Sequence, residues 1–192
     1  PASAQVTVEV TQEQDQFLPD EALLTAVRIT NLSGQTLHLG QEQNWLTFSV
    51  QSRGEEIVPA IAEVPVVGEF VLEPSRVATK RVDLTPYFSL PGSGRYSVTA
   101  TVRIKAWKQE MVSPPKNFDI IQAAKLWEQE IGVPNSAGLT NGTPEVRKFI
   151  LQQANYLKAR LRLYVRVTDG SGAKTFRVFA VGPMVSFGHP EP

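Results

Sequence analysis

A chain of 192 residues in which 19 basic side chains balance 19 acidic ones has no overall charge bias toward nucleic acid or an anionic membrane. The complete lack of cysteine excludes disulfide scaffolds, thiolate metal sites and cysteine nucleophiles together, and no apolar run approaches the ~18 residues of a membrane-spanning helix. The halves differ: residues 1–121 hold 10 basic and 14 acidic side chains and residues 122–192 hold 9 and 5, a mildly acidic front and a mildly basic back.

The chain opens on Ala2-Ser3-Ala4 before Gln5, small residues in the Ala-x-Ala arrangement after which a signal peptidase cleaves. An exported location, periplasmic or extracellular, is the expectation. Strand alternation follows at once, because neighbouring side chains in a strand point to opposite faces. Val6, Val8 and Val10 alternate with Thr7 and Glu9; Val27 and Ile29 with Arg28 and Thr30; Leu46, Phe48 and Val50 with Thr47 and Ser49. The longest run sets Tyr96, Val98, Ala100, Val102 and Ile104 against Ser97, Thr99, Thr101, Arg103 and Lys105. Turn-forming residues separate these runs, among them Pro19-Asp20, Asn31-Leu32-Ser33-Gly34, Ser52-Arg53-Gly54, Glu73-Pro74-Ser75 and Pro91-Gly92-Ser93-Gly94. Short strands at such spacing predict a two-sheet sandwich over residues 1–121.

The stretch from Leu84 to Val98, where Gly94-Arg95-Tyr96-Ser97-Val98 opens the long strand, resembles the sixth strand of immunoglobulin-like and fibronectin type III-like domains. That resemblance implies a tyrosine corner, with the Tyr96 hydroxyl tied back to upstream backbone. The order of Arg28-Ile29-Thr30-Asn31-Leu32-Ser33-Gly34, then the Trp45 strand, then the Gly-x-Tyr strand is similar to the bacterial intracellular proteinase inhibitor family and related exported sandwiches. The likeness spans roughly Val6 to Ile121 and lacks any cysteine pair. Its motifs are structural, so it implies a fold and hardly any activity.

Beyond a boundary near Gln122, residues 122–192 read as a smaller β-rich segment, and the whole chain as mostly β. Thr143-Pro144-Glu145 resembles a helix start, with an N-cap, proline at the first position and an acid facing the dipole. Val146, Ile150, Leu157 and Leu161 then fall near one helical face, which predicts a helix near residues 144–160. A rival reading runs a β-meander back through Phe149, and the two stand side by side. Leu161, Leu163, Val165 and Val167 alternate with Arg162, Tyr164, Arg166 and Thr168, and Asp169-Gly170-Ser171-Gly172 turns the chain into a hairpin with Thr175 to Val181. Lys125 to Ile131 and Pro183 to Phe187 add further short strands, and Gly188-His189-Pro190-Glu191-Pro192 reads as a loop.

No pattern points to a catalytic, cofactor-binding or metal-binding residue. Gly170-Ser171-Gly172-Ala173-Lys174-Thr175 superficially looks like a phosphate-binding loop, but Ala173 stands where glycine must precede the lysine and a strand, not a helix, follows. His38 and His189 lie in different halves with no spaced carboxylate or second histidine. The acids Asp15, Asp20, Glu21, Glu55, Glu56 and Asp169 form no calcium-loop spacing. The sequons at Asn31 and Asn141 matter only in a eukaryotic secretory pathway.

Trp45, by alternation, faces away from Leu46 and Phe48, which makes it a candidate binding residue for sugar or protein. Arg162, Arg166 and Arg177 are candidates for a basic row on the C-terminal hairpin. Trp107 and Trp127 flank the boundary and read as packing at the junction. The composite expectation is a non-catalytic, exported bacterial module that binds a protein, a glycan or an envelope component, with no nucleic-acid partner and no membrane span; the residues fix no oligomeric state. A protease inhibitor acting through Ile61 to Glu69 or Tyr87 to Gly94 is one alternative. A hydrolase drawing carboxylates from separate strands is another.

Overall fold

In a computed structural model, which describes residues 6–90, 92–133, 145–156 and 160–183, the chain is built almost wholly of strands. In order they are β1 (Val6–Gln12), β2 (Gln16–Phe17), β3 (Leu24–Asn31), β4 (Leu37–Leu39), β5 (Leu46–Ser52), β6 (Ile57–Val58), β7 (Phe70–Leu72) and β8 (Val77–Asp83). They continue as β9 (Gly94–Ile104), β10 (Gln109–Val112), β11 (Lys116–Ile120), β12 (Ala124–Val133), β13 (Glu145–Tyr156), β14 (Arg160–Asp169) and β15 (Thr175–Pro183). Two single-turn 3₁₀ segments, Thr85–Tyr87 and Lys105–Trp107, interrupt them. Two compact units result, one of Pro1–Phe17 and Ala22–Ile120, the other of Leu18–Glu21 and Ile121–Pro192.

The first unit holds a three-stranded antiparallel sheet, β1-β3-β8, and a six-stranded sheet in the order β2-β11-β9-β5-β6 with β10 also paired to β9. A two-stranded ribbon, β4-β7, accompanies them. Val6, Val8, Val10, Val27 and Ile29 from the smaller sheet join Leu46, Val50, Val98, Val102 and Phe118 from the larger in one core, so the two sheets form a β-sandwich. Strand β9 shows why the alternation matters: Tyr96, Val98, Ala100, Val102 and Ile104 are buried while Arg95 and Arg103 stay exposed. Each such valine or isoleucine removed from water stabilises the fold by roughly 1.5–3 kcal/mol. The Tyr96 hydroxyl donates to the Gly92 carbonyl at 2.8 Å, and its ring stacks on Phe118 with centroids 5.7 Å apart.

The second unit is an antiparallel meander, β12-β13-β14-β15. The helix expected near residues 144–160 is absent: residues 145–156 form strand β13, paired to β12 on one side and β14 on the other. Local helix signals lose here because ladders on both flanks over residues 147–153 take up the backbone groups that a helix would pair internally, and the side chains then settle with period two. The cut between units falls at Ile120–Ile121, and Leu18–Glu21, from the connection between β2 and β3, goes with the second unit. Leu18 is why: with Ala154, Tyr164 and Val178 it forms that unit's buried cluster, flanked by Ile121 and Ala123. The Ala2-Ser3-Ala4 start, Asn141, Thr143-Pro144, Leu157, Met184 to Phe187 and His189 lie outside the described residues.

Candidate functional site

Register sorts the second unit's side chains onto two faces. Leu151 stands opposite Trp127 on β12 and Val165 on β14, and Val165 stands opposite Phe179 on β15. Residues directly opposite in an antiparallel pair project to the same side. One face therefore carries Trp127, Ile131, Phe149, Leu151, Leu163, Val165, Val167 and Phe179. The other carries Ile150, Gln152, Ala154, Arg162, Tyr164, Arg166, Thr168 and Val178, and Leu18 packs there.

The first of these faces is open. Trp127 is 51% exposed, Ile131 42% and Phe179 41%, and Phe149, Leu151 and Val165 are only half-buried. Trp127, Ile131, Phe149, Ile150, Leu151 and Val165 line a groove of about 260 Å³ whose walls are almost wholly apolar. Charge lies at one end of the face, where Arg147 opposes Asp169 and pairs with Glu145 at 3.5 Å, and along the β15 edge, where Arg177 stands opposite Val167. The cations lean on aromatic rings there: Arg147 and Lys174 lie 5.0 and 5.2 Å from the Phe176 centroid, and Arg177 lies 5.6 Å from that of Phe179. The far end holds the uncharged Gln153 and Asn155, opposite Leu163 and Leu161.

No family model matches this chain, and no curated protein matches it. The crystal structure of Spo0M, sporulation control protein, from Bacillus subtilis is similar over 93% of this chain and 91% of that one, at 10% identity and a TM-score of 0.44.

The basic row does not form. Arg162 and Arg166 share one face, whereas Arg177, opposite Val167, belongs to the other. Arg166 is also committed, its side chain only 16% exposed: Nη1 donates to Asp20 Oδ2 at 2.7 Å, Nη2 to the Pro19 carbonyl at 2.7 Å and Nε to Gln152 Oε1 at 3.2 Å. It clamps Leu18–Glu21 to the sheet instead of greeting a ligand. Trp45 departs from the reading too. It precedes β5 and is 2% exposed, with its ring edge-on to Phe70 and its Nε1 donating to the Val66 carbonyl at 2.9 Å. Alternation misplaces it because Trp45 lies outside the strand whose period was applied. Trp107 packs against the first unit's core, while Trp127, read as junction packing, stands on the open face.

The acids serve local structure. Asp15 pairs with Lys116 at 2.7 Å, Asp20 with Arg166, and Glu21 Oε2 accepts from the Leu18 amide at 2.8 Å. Glu55 occupies a turn at φ 62°. Asp169 organises the Gly170–Lys174 turn, and the Lys174 amide, then the Ser171 hydroxyl, hold its carboxyl below the ordinary value. The phosphate-loop lookalike is thus a hairpin, with the Gly172 amide donating to the Asp169 carbonyl at 3.0 Å. His38 is exposed between buried Leu37 and Leu39. Among the described residues no three His, Asp or Glu side chains gather to hold a metal.

One loop of the first unit also stands out. Val67 is 81% exposed, yet its neighbours are fixed: the indole of Trp45 holds the Val66 carbonyl, and Gly40 packs so closely on Gly68 that an added Cβ would collide with its carbonyl oxygen.

Proposed function

We propose that this chain is a non-catalytic binding module, exported and built on an immunoglobulin-like sandwich, whose working surface is the open face of the β12–β15 sheet. One observation carries the reading: an apolar band centred on Phe149, Leu151 and Val165, bordered on the β15 edge by Arg177, is left half-exposed. A sheet face of that composition is a cost to a protein that keeps it in water, and contiguous apolar patches mark interaction sites. Four strands at ~4.8 Å spacing and about nine residues at ~3.3 Å rise make a whole face of roughly 570 Å², its polar end rows included, and the apolar band is the middle of it.

The test uses the whole chain at sub-micromolar concentration. An apolar fluorescent dye and carbene footprinting should both find Trp127 and Phe149 accessible. Trp127→Glu should weaken dye binding about ten-fold, the loss of roughly 1.4 kcal/mol from one large aromatic contact, with the melting curve unmoved. A face that stays protected when dilute, or turnover of a hydrolase substrate that any carboxylate substitution abolishes, overturns the reading.

The held Val67 loop favours a second reading, protease inhibition. A substrate-like loop inhibits when its backbone is fixed before binding, and the anchors at Val66 and Gly68 do that. Inhibition of any protease at micromolar chain, lost in Val67→Asp, supports it; a panel without inhibition removes it.

A further inference from the structure

We infer that the open face of the β12–β15 sheet docks on the same face of a second copy of this chain, the two sheets forming an eight-stranded sandwich about a two-fold axis. This rests on the reading of that face as the working surface and names its partner.

Three features of the face select a second copy. First, its middle row is apolar from edge to edge: Trp127, Leu151, Val165 and Phe179 stand side by side, so the centre of the face meets its own copy apolar to apolar, while Arg177, opposite Val167 on the edge strand β15 and leaning on the Phe179 ring, stays at the rim. Second, the area suffices. Two whole faces of roughly 570 Å², end rows included, bury with their rims about 1,200 Å², the lower limit for specific association. Third, the charges choose the orientation. Glu145, Arg147 and Asp169 share one end and Gln153 and Asn155 the other. An axis perpendicular to the strands lays the charged end of each copy over the uncharged end of its mate, so that no like charges meet. Leu151 and Val165, directly paired at the centre of the sheet, then meet their own counterparts, and Arg147 meets Asn155. Sheets packed this way lie about 10 Å apart with strands nearly aligned.

The absence of cysteine from the chain makes the arrangement directly readable. Sedimentation velocity across the micromolar range should show the 21.2 kDa chain passing to twice that mass. Trp127→Glu, on an edge strand where folding tolerates it, should raise the dissociation constant by at least about ten-fold. Under mild oxidation Val165→Cys should cross-link to itself, Arg147→Cys should not, and a mixture of Arg147→Cys with Asn155→Cys should. Should Val165→Cys perturb folding, Leu151→Cys at the same centre answers the same question. A chain that stays monomeric at high micromolar concentration, or cross-links through Arg147→Cys alone, overturns the inference. Footprinting separates the two levels. A face accessible when dilute and unchanged on concentrating leaves a binding surface with a different partner. One protected at every dilution removes the surface itself.

Discussion

Asn31 shows how completely a single buried polar side chain is used. Its Nδ2 donates to the Gln35 and Leu72 carbonyls at 2.8 and 2.9 Å, and its Oδ1 accepts from the Ser33 amide and hydroxyl at 3.0 and 2.6 Å. The sequon at this position is therefore incompatible with a glycan on the folded chain, because Asn31 is fully buried and neither amide proton is spare. Replacing it with aspartate turns two donors into acceptors facing two carbonyls. Asn31→Asp should cost about 3 kcal/mol and Tyr96→Phe, which removes one hydroxyl bond, about 1 kcal/mol, read from urea midpoints at neutral pH. Equal losses in the two variants would sink the account. Of these two residues only Tyr96 was legible, since its partner lies four residues upstream within a recognisable Gly-x-Tyr turn. Asn31 bonds to Leu72, 41 residues away, and no local spacing announces that.

The strands of the two units differ in what keeps them in place, and that difference governed how well each could be read. In the sandwich β1, β3 and β9 each bury every second side chain, so their alternation is unambiguous. In β13 the apolar side chains Val146, Phe149, Ile150 and Leu151 fall on both faces, because one face meets Leu18's cluster and the other is the open groove. A helical period and a strand period then fit the same letters. The clamp on Leu18–Glu21 was invisible for a related reason: Arg166 reaches Asp20 across 146 residues. Arg166→Ala should destabilise the second unit by about 2 kcal/mol, mostly through the Pro19 carbonyl bond, since Asp20 itself is 55% exposed. Faster amide exchange at Leu18 and Glu21, with β9 unaltered, is the measurement, and unchanged exchange there refutes the clamp. The β14–β15 hairpin adds a pH dependence. With the Asp169 carboxyl held below its ordinary value in the folded chain, its contribution is complete above the ordinary carboxylate range and is lost as pH falls through that lowered value. The Lys174 amide resonance should titrate with a midpoint below ~3.9, the free aspartate value, and Asp169→Asn should abolish the titration.

Taken whole, the chain joins a well-filled core to a sparse one. Among the described residues two dozen side chains are buried in the first unit's cluster and four in the second's, and one of those four, Leu18, comes from between β2 and β3. A sheet with so little beneath it draws stability from whatever covers its other face, and a ligand that binds only the folded form raises stability by mass action. Calorimetry of the full chain should accordingly give two transitions. The lower, belonging to the β12–β15 sheet, should rise with protein concentration as the second copy docks, while the upper stays fixed. Leu18→Ala should lower the first by the equivalent of about 3 kcal/mol, the usual loss for a buried leucine, and leave the second in place, although Leu18 follows directly on Phe17 of the sandwich core. If Leu18→Ala moved the upper transition instead, Leu18 would belong to the sandwich and the division of labour between the cores would be wrong.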